Sequence, residues 1–268
     1  MDNRPIGIFD SGLGGLTVLR ACLDIIPDES TVYFGDNGRA PYGTKSIETV
    51  VKYTFQDINF LLSHDVKMIV IGCNTASACS LTRVRDDFDI PIIEVVEPGS
   101  RAAVNKTRNG KIGVIGTSAT IGSGVYEKAI RAIMPEAEIH SKACSMFVSL
   151  AEEGWWDNDI TKSICIEYLT PLKEEGIDTL ILGCTHYPLL KNMIQEVMGD
   201  SVTLVNSAVE VAKVIDKTLD SLDLRRDSKL KPVNRFYTSD SVQKFEQLGS
   251  AFLNRNIVSA EKADIEKY

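Results

Sequence analysis

The chain has no Cys-x-x-Cys pair, and its three histidines fall in no zinc-like repeat. Those absences remove the usual signatures of dithiol redox chemistry and of a structural zinc site. Cys184-x-His186 alone is too sparse to hold a metal, so no metal is expected. Long apolar runs are missing too: nothing approaches the roughly 20 residues that span a bilayer. No segment near the start combines a charged stretch, an apolar core and a cleavage site, so no secretory leader is expected. Positive charge is scarce, with 29 Lys and Arg against 37 Asp and Glu and a net charge of −8. That balance argues against a nucleic-acid or acidic-membrane partner.

What remains is a globular composition, 44% hydrophobic and 25% charged over 268 residues, with room for two ordinary domains. The six cysteines, in a long chain without a leader pattern, read as reduced and cytoplasmic. Short apolar runs at Pro5–Phe9, Thr31–Phe34, Val66–Ile71 and Pro91–Val96 read as strands. Amphipathic stretches near Gly15–Ile25, Ile47–Ser63 and Ala76–Phe88 read as the helices between them. This alternation predicts an α/β fold with a parallel sheet covered on both faces.

The pattern then restarts. Lys111-Ile112-Gly113-Val114-Ile115-Gly116-Thr117 resembles Pro5-Ile6-Gly7-Ile8-Phe9-Asp10-Ser11 at an offset of 106. Gly72-Cys73-Asn74-Thr75 and Gly183-Cys184-Thr185-His186 match at 111. Two matches at nearly one offset predict a duplicated framework, with further strands at Glu138–Ser141, Asp178–Leu182 and Thr203–Val205. Ser207-x-x-Glu210 has capping-box spacing and predicts a helix start. A polar loop over Asp220–Pro232, a strand at Arg235–Thr238 and a helix over Val242–Leu253 complete the tail, which is expected to pack back on an earlier domain.

Ligands of open parallel sheets bind beyond the carboxyl ends of the strands. There this chain places Asp10-Ser11-Gly12-Leu13-Gly14-Gly15, Asp36-Asn37, Pro41-Tyr42-Gly43-Thr44, Cys73-Asn74-Thr75, Gly116-Thr117-Ser118-Ala119-Thr120 and Cys184-Thr185-His186. Hydroxyls, amides and helix N-termini with few cations nearby, only Arg39 and Lys45, predict a small anion held by neutral donors. A carboxylate or a phosphate fits. The Asp10–Gly15 loop lacks the Gly-Lys-Ser/Thr ending of a P-loop, so nucleotide binding is not expected.

Cys22, Cys79, Cys144 and Cys165 read as structural. Cys73 and Cys184 each sit where a strand meets a helix, a setting that makes thiolate available near neutral pH. Two such thiols without a metal or disulfide suit proton transfer to and from opposite faces of a carbon. Asp10, at a neighbouring strand end, is a candidate helper for Cys73, and His186 for Cys184. Glu152 and Glu153 read equally well as a solvated helix end.

Together these segments resemble the glutamate racemases of the cofactor-independent aspartate/glutamate racemase superfamily. The matching stretches are Ile8–Val18, Asp36-Asn37 with Pro41-Tyr42-Gly43, Gly72–Ala78, Val96-Glu97-Pro98, Gly116-Thr117 with Thr120, and Gly183–Leu190. The resemblance implies two pseudo-symmetric α/β domains, 1–97 plus 207–268 and 98–206, with the active site in the cleft between them. It implies that Cys73 takes the proton from D-glutamate and Cys184 from L-glutamate, assisted by Asp10, Glu152 and His186. Asp10, Ser11, Pro41, Tyr42, Gly43, Cys73, Asn74, Thr75, Thr120, Cys184, Thr185 and His186 fall on ligand-binding positions. No cofactor is implied. The implied role is supply of D-glutamate for peptidoglycan in a bacterial cytoplasm, and the implied assembly is a homodimer. The nearest alternative is a sister activity such as aspartate racemase. A binding protein without turnover and thiol redox chemistry are further readings.

Overall fold

The computed structural model describes residues 1–227 and 229–268. Its strands form two sheets, and every pairing between them is parallel. The first contains β1 (Ile6–Asp10), β2 (Thr31–Gly35), β3 (Met68–Ile71) and β4 (Ile92–Glu94) in the order β2-β1-β3-β4. The second contains β5 (Lys111–Gly116), β6 (Glu138–Ala143), β7 (Thr179–Gly183) and β8 (Thr203–Asn206) in the order β6-β5-β7-β8. The orders are the same. Register repeats as well: Ile6 pairs with Met68 and Ile112 with Thr179, while Ile69 pairs with Ile92 and Leu180 with Leu204. The tail adds β9 (Asn234–Thr238) and β10 (Glu261–Lys262) to the β2 edge of the first sheet.

Alternate residues of each strand serve different cores, as the twofold period of a strand requires. Ile6, Ile8, Met68 and Val70 face a core that also holds Ile112, Val114 and Ile181 from the second sheet. Phe9, Ile69 and Ile71 face a second core, and Ile115, Leu180 and Leu182 a third. Burial on both faces explains why the strands read as unbroken apolar runs. The helices of the first half are α1 (Leu16–Ile25), α2 (Ile47–Leu62) and α3 (Asn74–Asp87). The second half carries α4 (Val96–Lys106), α5 (Ser118–Gly122), α6 (Val125–Ile133), α7 (Met146–Glu152), α8 (Asp159–Glu174) and α9 (Lys191–Met198). α10 (Ser207–Ser221) and α11 (Val242–Leu253) follow. Residues from α1, α4 and α10 share the core common to both sheets, which fastens the halves together. None of the described helices is long and apolar enough to cross a membrane.

Several predicted boundaries move. The strand read through Val96 stops at Glu94, whose carboxylate accepts the backbone N–H groups of Val96 and Glu97 and turns the chain into α4. α3 begins at Asn74, two residues earlier than predicted, because Cys73 is its N-cap. The capping box at Ser207 does not form: Asn206 Oδ1 accepts Ala208 N–H at 3.0 Å and is the cap, and Ser207 is the first helical residue. Ser228, within the predicted polar loop, lies outside the described residues.

Candidate active site

The carboxyl ends of the two sheets face one another, and the motif loops meet there. One small cavity of about 30 Å³ is lined by Ser11, Pro41, Tyr42, Gly43, Cys73, Asn74, Thr75, Glu152, Cys184, Thr185 and His186, together with Gly12, Ala40, Thr117 and Val148. Room for about two water molecules is less than an amino acid occupies. A larger cavity of about 620 Å³ shares Ala40, Pro41, Val148 and Glu152 with it and marks the side nearest solvent.

The two halves hold each other across this cavity at pseudo-equivalent positions. Asn74 Oδ1 accepts from Tyr126 of the second half at 2.5 Å. Thr185, the counterpart of Asn74, donates its hydroxyl to Asp10 Oδ1 of the first half at 3.3 Å. Thr75 Oγ1 lies 3.0 Å from Thr117 Oγ1 and 3.3 Å from Thr120 Oγ1. Such close approach needs glycine in the Asp10–Gly15 loop. A Cβ on Gly14 would lie 2.2 Å from Thr185 Oγ1 and 2.7 Å from His186 Nδ1.

The surroundings of the two thiols differ. Cys73 Sγ accepts Ala76 N–H at 3.4 Å as the cap of α3 and lies 3.5 Å from Ser11 Oγ. Burial, with the charge of Asp10 added, pushes its thiol up to about 12, although the Ser11 and Ala76 contacts work the other way. The expectation that the helix start would make this thiolate available near neutral pH is therefore not met at Cys73; desolvation outweighs the helix terminus. Asp10 is itself fully buried, and burial raises its carboxyl against the opposing His186 charge and the N–H groups of Gly15 and Gly12.

Cys184 heads a short 3-10 turn, Tyr187–Leu190, rather than an α-helix. Its Sγ lies 3.7 Å from His186 Nδ1, and His186 Nε2 lies 3.1 Å from Glu152 Oε1. Burial alone would lower the imidazole, but its contacts with Cys184 and Glu152 overcome that and raise it to about 10. Glu152 is held below the usual carboxylate range by the His186 hydrogen bond. The cationic form of His186 is thus favoured by its two neighbours, Cys184 sulfur and the Glu152 carboxylate.

Of the residues singled out from sequence, Asp10 and Thr120 stand behind the lining, bonded to Thr185 and Thr75. Between the two adjacent glutamates, Glu152 reaches His186, whereas Glu153 caps the end of α7 and lines the outer cavity. Tyr42 lines the cavity, but its hydroxyl is turned away into the carboxyl groups of Asp36 and Asp57. Arg39 is not free for an anion: it pairs with Asp36 at 2.6 Å and Asp57 at 3.0 Å, and stacks on Tyr53. Sequence reasoning left out Thr117 as a site residue, although its match to Ser11 at the 106 offset pointed to it.

Known proteins are similar to this chain in sequence and fold. A glutamate racemase of Geobacter metallireducens is 46% identical over 263 residues, covering 98% of this chain and 97% of that one. The glutamate racemase isoform structure from Bacillus anthracis superposes with a TM-score of 0.95 at 40% identity, covering 98% of each chain. That of Francisella tularensis in complex with D-glutamate gives 0.94 at 38% identity over 100% of both chains. The sequence profile of the Asp/Glu/Hydantoin racemase family matches residues 14–215, and the chain belongs to that family.

Proposed function

We propose that this chain interconverts L- and D-glutamate without a cofactor, by proton transfer between Cα and two cysteines. The observation that carries the reading is the placement of Cys73 and Cys184 at matched strand ends of opposed sheets, both lining one cavity. One thiolate takes the Cα proton, leaving a planar carbanion, and the opposite thiol returns a proton to the other face. Following the family resemblance, Cys73 acts on D-glutamate and Cys184 on L-glutamate. The Ser11, Asn74 and Thr75 side chains and the start of α3 supply neutral donors for the substrate carboxylates. Donors already in place stabilise the developing charge without reorganisation.

Burial favours the protonated form of Cys73, and the contacts of His186 with Cys184 and Glu152 favour its cationic form. With L-glutamate, Cys184 is the base and Cys73 the acid. Asp10, behind Cys73, and His186 assist the return of each thiol to its starting state. Glutamate rather than aspartate is supported by the relatives' names. The half carrying Cys73 is residues 1–97 with 207–268, and the half carrying Cys184 is 98–206. The role is supply of D-glutamate for peptidoglycan in a bacterial cytoplasm, and the protein partner is a second copy of the chain.

The test is incubation of L-glutamate and L-aspartate in D2O, following optical rotation and Cα deuterium, with wild type, Cys73→Ala and Cys184→Ala. Wild type is expected to racemise glutamate with Cα exchange, and neither variant to racemise it at a comparable rate. Turnover of aspartate alone would overturn the substrate, and wild-type rates in either variant would overturn the two-thiol mechanism.

A further inference from the structure

Beneath the cavity wall lies a charged cluster that the proton transfer does not use. Asp36 and Asp57 are both fully buried, and Tyr42 is 1% exposed. Tyr42 Oη hydrogen-bonds Asp36 Oδ2 and lies 2.9 Å from Asp57 Oδ2. Arg39 donates Nε–H to the same Asp36 oxygen at 2.6 Å and Nη2–H to Asp57 Oδ1 at 3.0 Å. Ser239 donates its hydroxyl to Asp36 Oδ1 at 2.7 Å, and Gln56 Oε1 accepts from Arg39 Nη1 at 2.6 Å.

Counting protons decides how this cluster is held. A phenol has one proton and so can donate to only one of two carboxylates. With both carboxyls ionised, one of the Tyr42 contacts would set two bare oxygens against each other, and two buried anions would face a single cation. Asp36 Oδ2 already serves Arg39, so the consistent chain runs Asp57 Oδ2–H to Tyr42 Oη and Tyr42 O–H to Asp36. The environment agrees, since burial and the Asp36 charge drive the Asp57 carboxyl well above its ordinary range.

We propose that Asp57 is a protonated positioning residue that, through Tyr42 and Arg39, holds the Pro41-Tyr42-Gly43 wall against bound substrate. Pro41, Tyr42 and Gly43 line the cavity with both cysteines, and a Cβ on Gly43 would meet Thr117 of the other half at 2.7 Å. A loosened wall weakens binding of substrate while leaving the thiols where they are. The inference rests on the racemase reading.

Steady-state racemisation by wild type, Tyr42→Phe, Asp57→Ala and Asp57→Asn tests it, with D-glutamate affinity of each measured by calorimetry. Tyr42→Phe and Asp57→Ala are expected to raise KM roughly tenfold, the worth of a buried hydrogen bond, with kcat within about threefold. Asp57→Asn matches the protonated acid: its Nδ2–H replaces the donor to Tyr42, its Oδ1 still accepts from Arg39, and KM stays within about twofold of wild type. If Asp57→Asn raises KM as Asp57→Ala does, the proton assignment is wrong. If Tyr42→Phe leaves KM and affinity unchanged, the positioning role is wrong; should Asp57→Ala not fold, these two variants still decide. Failure of wild type itself to racemise glutamate would sink the racemase reading instead, a distinguishable result.

Discussion

Cys73 and Cys184 occupy the same place in two copies of one framework, yet their surroundings are opposite in kind. The first thiol caps a 14-residue helix, α3, beside a buried carboxyl, and burial with that negative neighbour keeps the proton on sulfur. The second heads a short 3-10 turn and has the His186 imidazole, itself anchored by Glu152, against its sulfur. The counterpart of Asp10 in the second half is Gly116, and the counterpart of His186 in the first is Thr75. Duplication thus places two thiols at matched strand ends on one cavity, and divergence gives each a different set of neighbours. A chiral substrate needs symmetric delivery of protons, but its carboxylates and side chain need unlike walls.

The comparison breaks most sharply at the sulfurs. Cys73→Ala and Cys184→Ala are each expected to lower racemisation by roughly 10³-fold, within the range of lost acid–base catalysis. Their residual Cα exchange should differ in hand: Cys184→Ala retains exchange with D-glutamate only, and Cys73→Ala with L-glutamate only, as read by proton NMR in D2O. Exchange of the same enantiomer in both variants would show that the thiols are not divided by face.

Next come the unlike helpers. Asp10→Asn and His186→Gln should each cost about 10²-fold in kcat/KM. The equilibrium constant between enantiomers is one, so kcat/KM must fall equally in both directions, and the asymmetry has to be sought elsewhere. His186→Gln should enlarge the Cα-deuterium isotope effect when L-glutamate is the substrate, and Asp10→Asn when D-glutamate is. Equal isotope effects in both directions would mean that the helpers serve a shared step.

A smaller effect follows at the contact between the halves. Gly14→Ala drives a methyl into Thr185 and His186. An overpacked contact of this kind costs about 1–3 kcal/mol, and turnover should drop about tenfold as His186 shifts from Cys184. Thermal unfolding and kcat of the variant check both.

The least effect on turnover, and a clean one on stability, comes from pH. The folded-state imidazole of His186, at about 10, lies above its unfolded value near ~6.5. Its stabilisation is therefore fully present below about pH 6.5 and is lost as pH rises through about 10. Between those limits the folded state binds the extra proton, so stability falls by up to about 1.4 kcal/mol per pH unit. Denaturant titrations of wild type and His186→Gln from pH 6 to 11 should converge toward the alkaline end. Parallel curves would place the proton elsewhere.

Much of this was legible in the sequence. The apolar runs and their spacing mark strands of both sheets, and the two near-equal offsets reappear as matched strand order and pairing register. The strand-end motifs locate the cavity because parallel sheets bring their carboxyl ends to one side. The sequence was hardest to read where two local signals competed. Ser207 and Asn206 both cap helices well, and only the backbone at Asn206 turns its side chain onto Ala208 N–H. Glu152 and Glu153 are indistinguishable by pattern, one residue apart at the end of α7, and the helix rotation alone sends the first toward His186. Tyr42 sits in a ligand motif, yet its hydroxyl serves Asp36 and Asp57, the latter on a separate helix.

By itself, then, the sequence determined the strands, the duplication and the paired positions of Cys73 and Cys184. Each of these follows from local periodicity and spacing, which a chain carries wherever it folds. The tertiary structure alone decided the upward shifts of Cys73 and His186, the contact of Glu152 with His186, the turning of Tyr42 into its buried carboxyl pair and the closure of the halves through Thr185 and Asp10. Those depend on desolvation and on charges and hydrogen-bond partners brought together from positions far apart in the chain. Cys73 shows the difference most plainly: its helix start is written in the sequence, but the burial that outweighs it exists only in the fold.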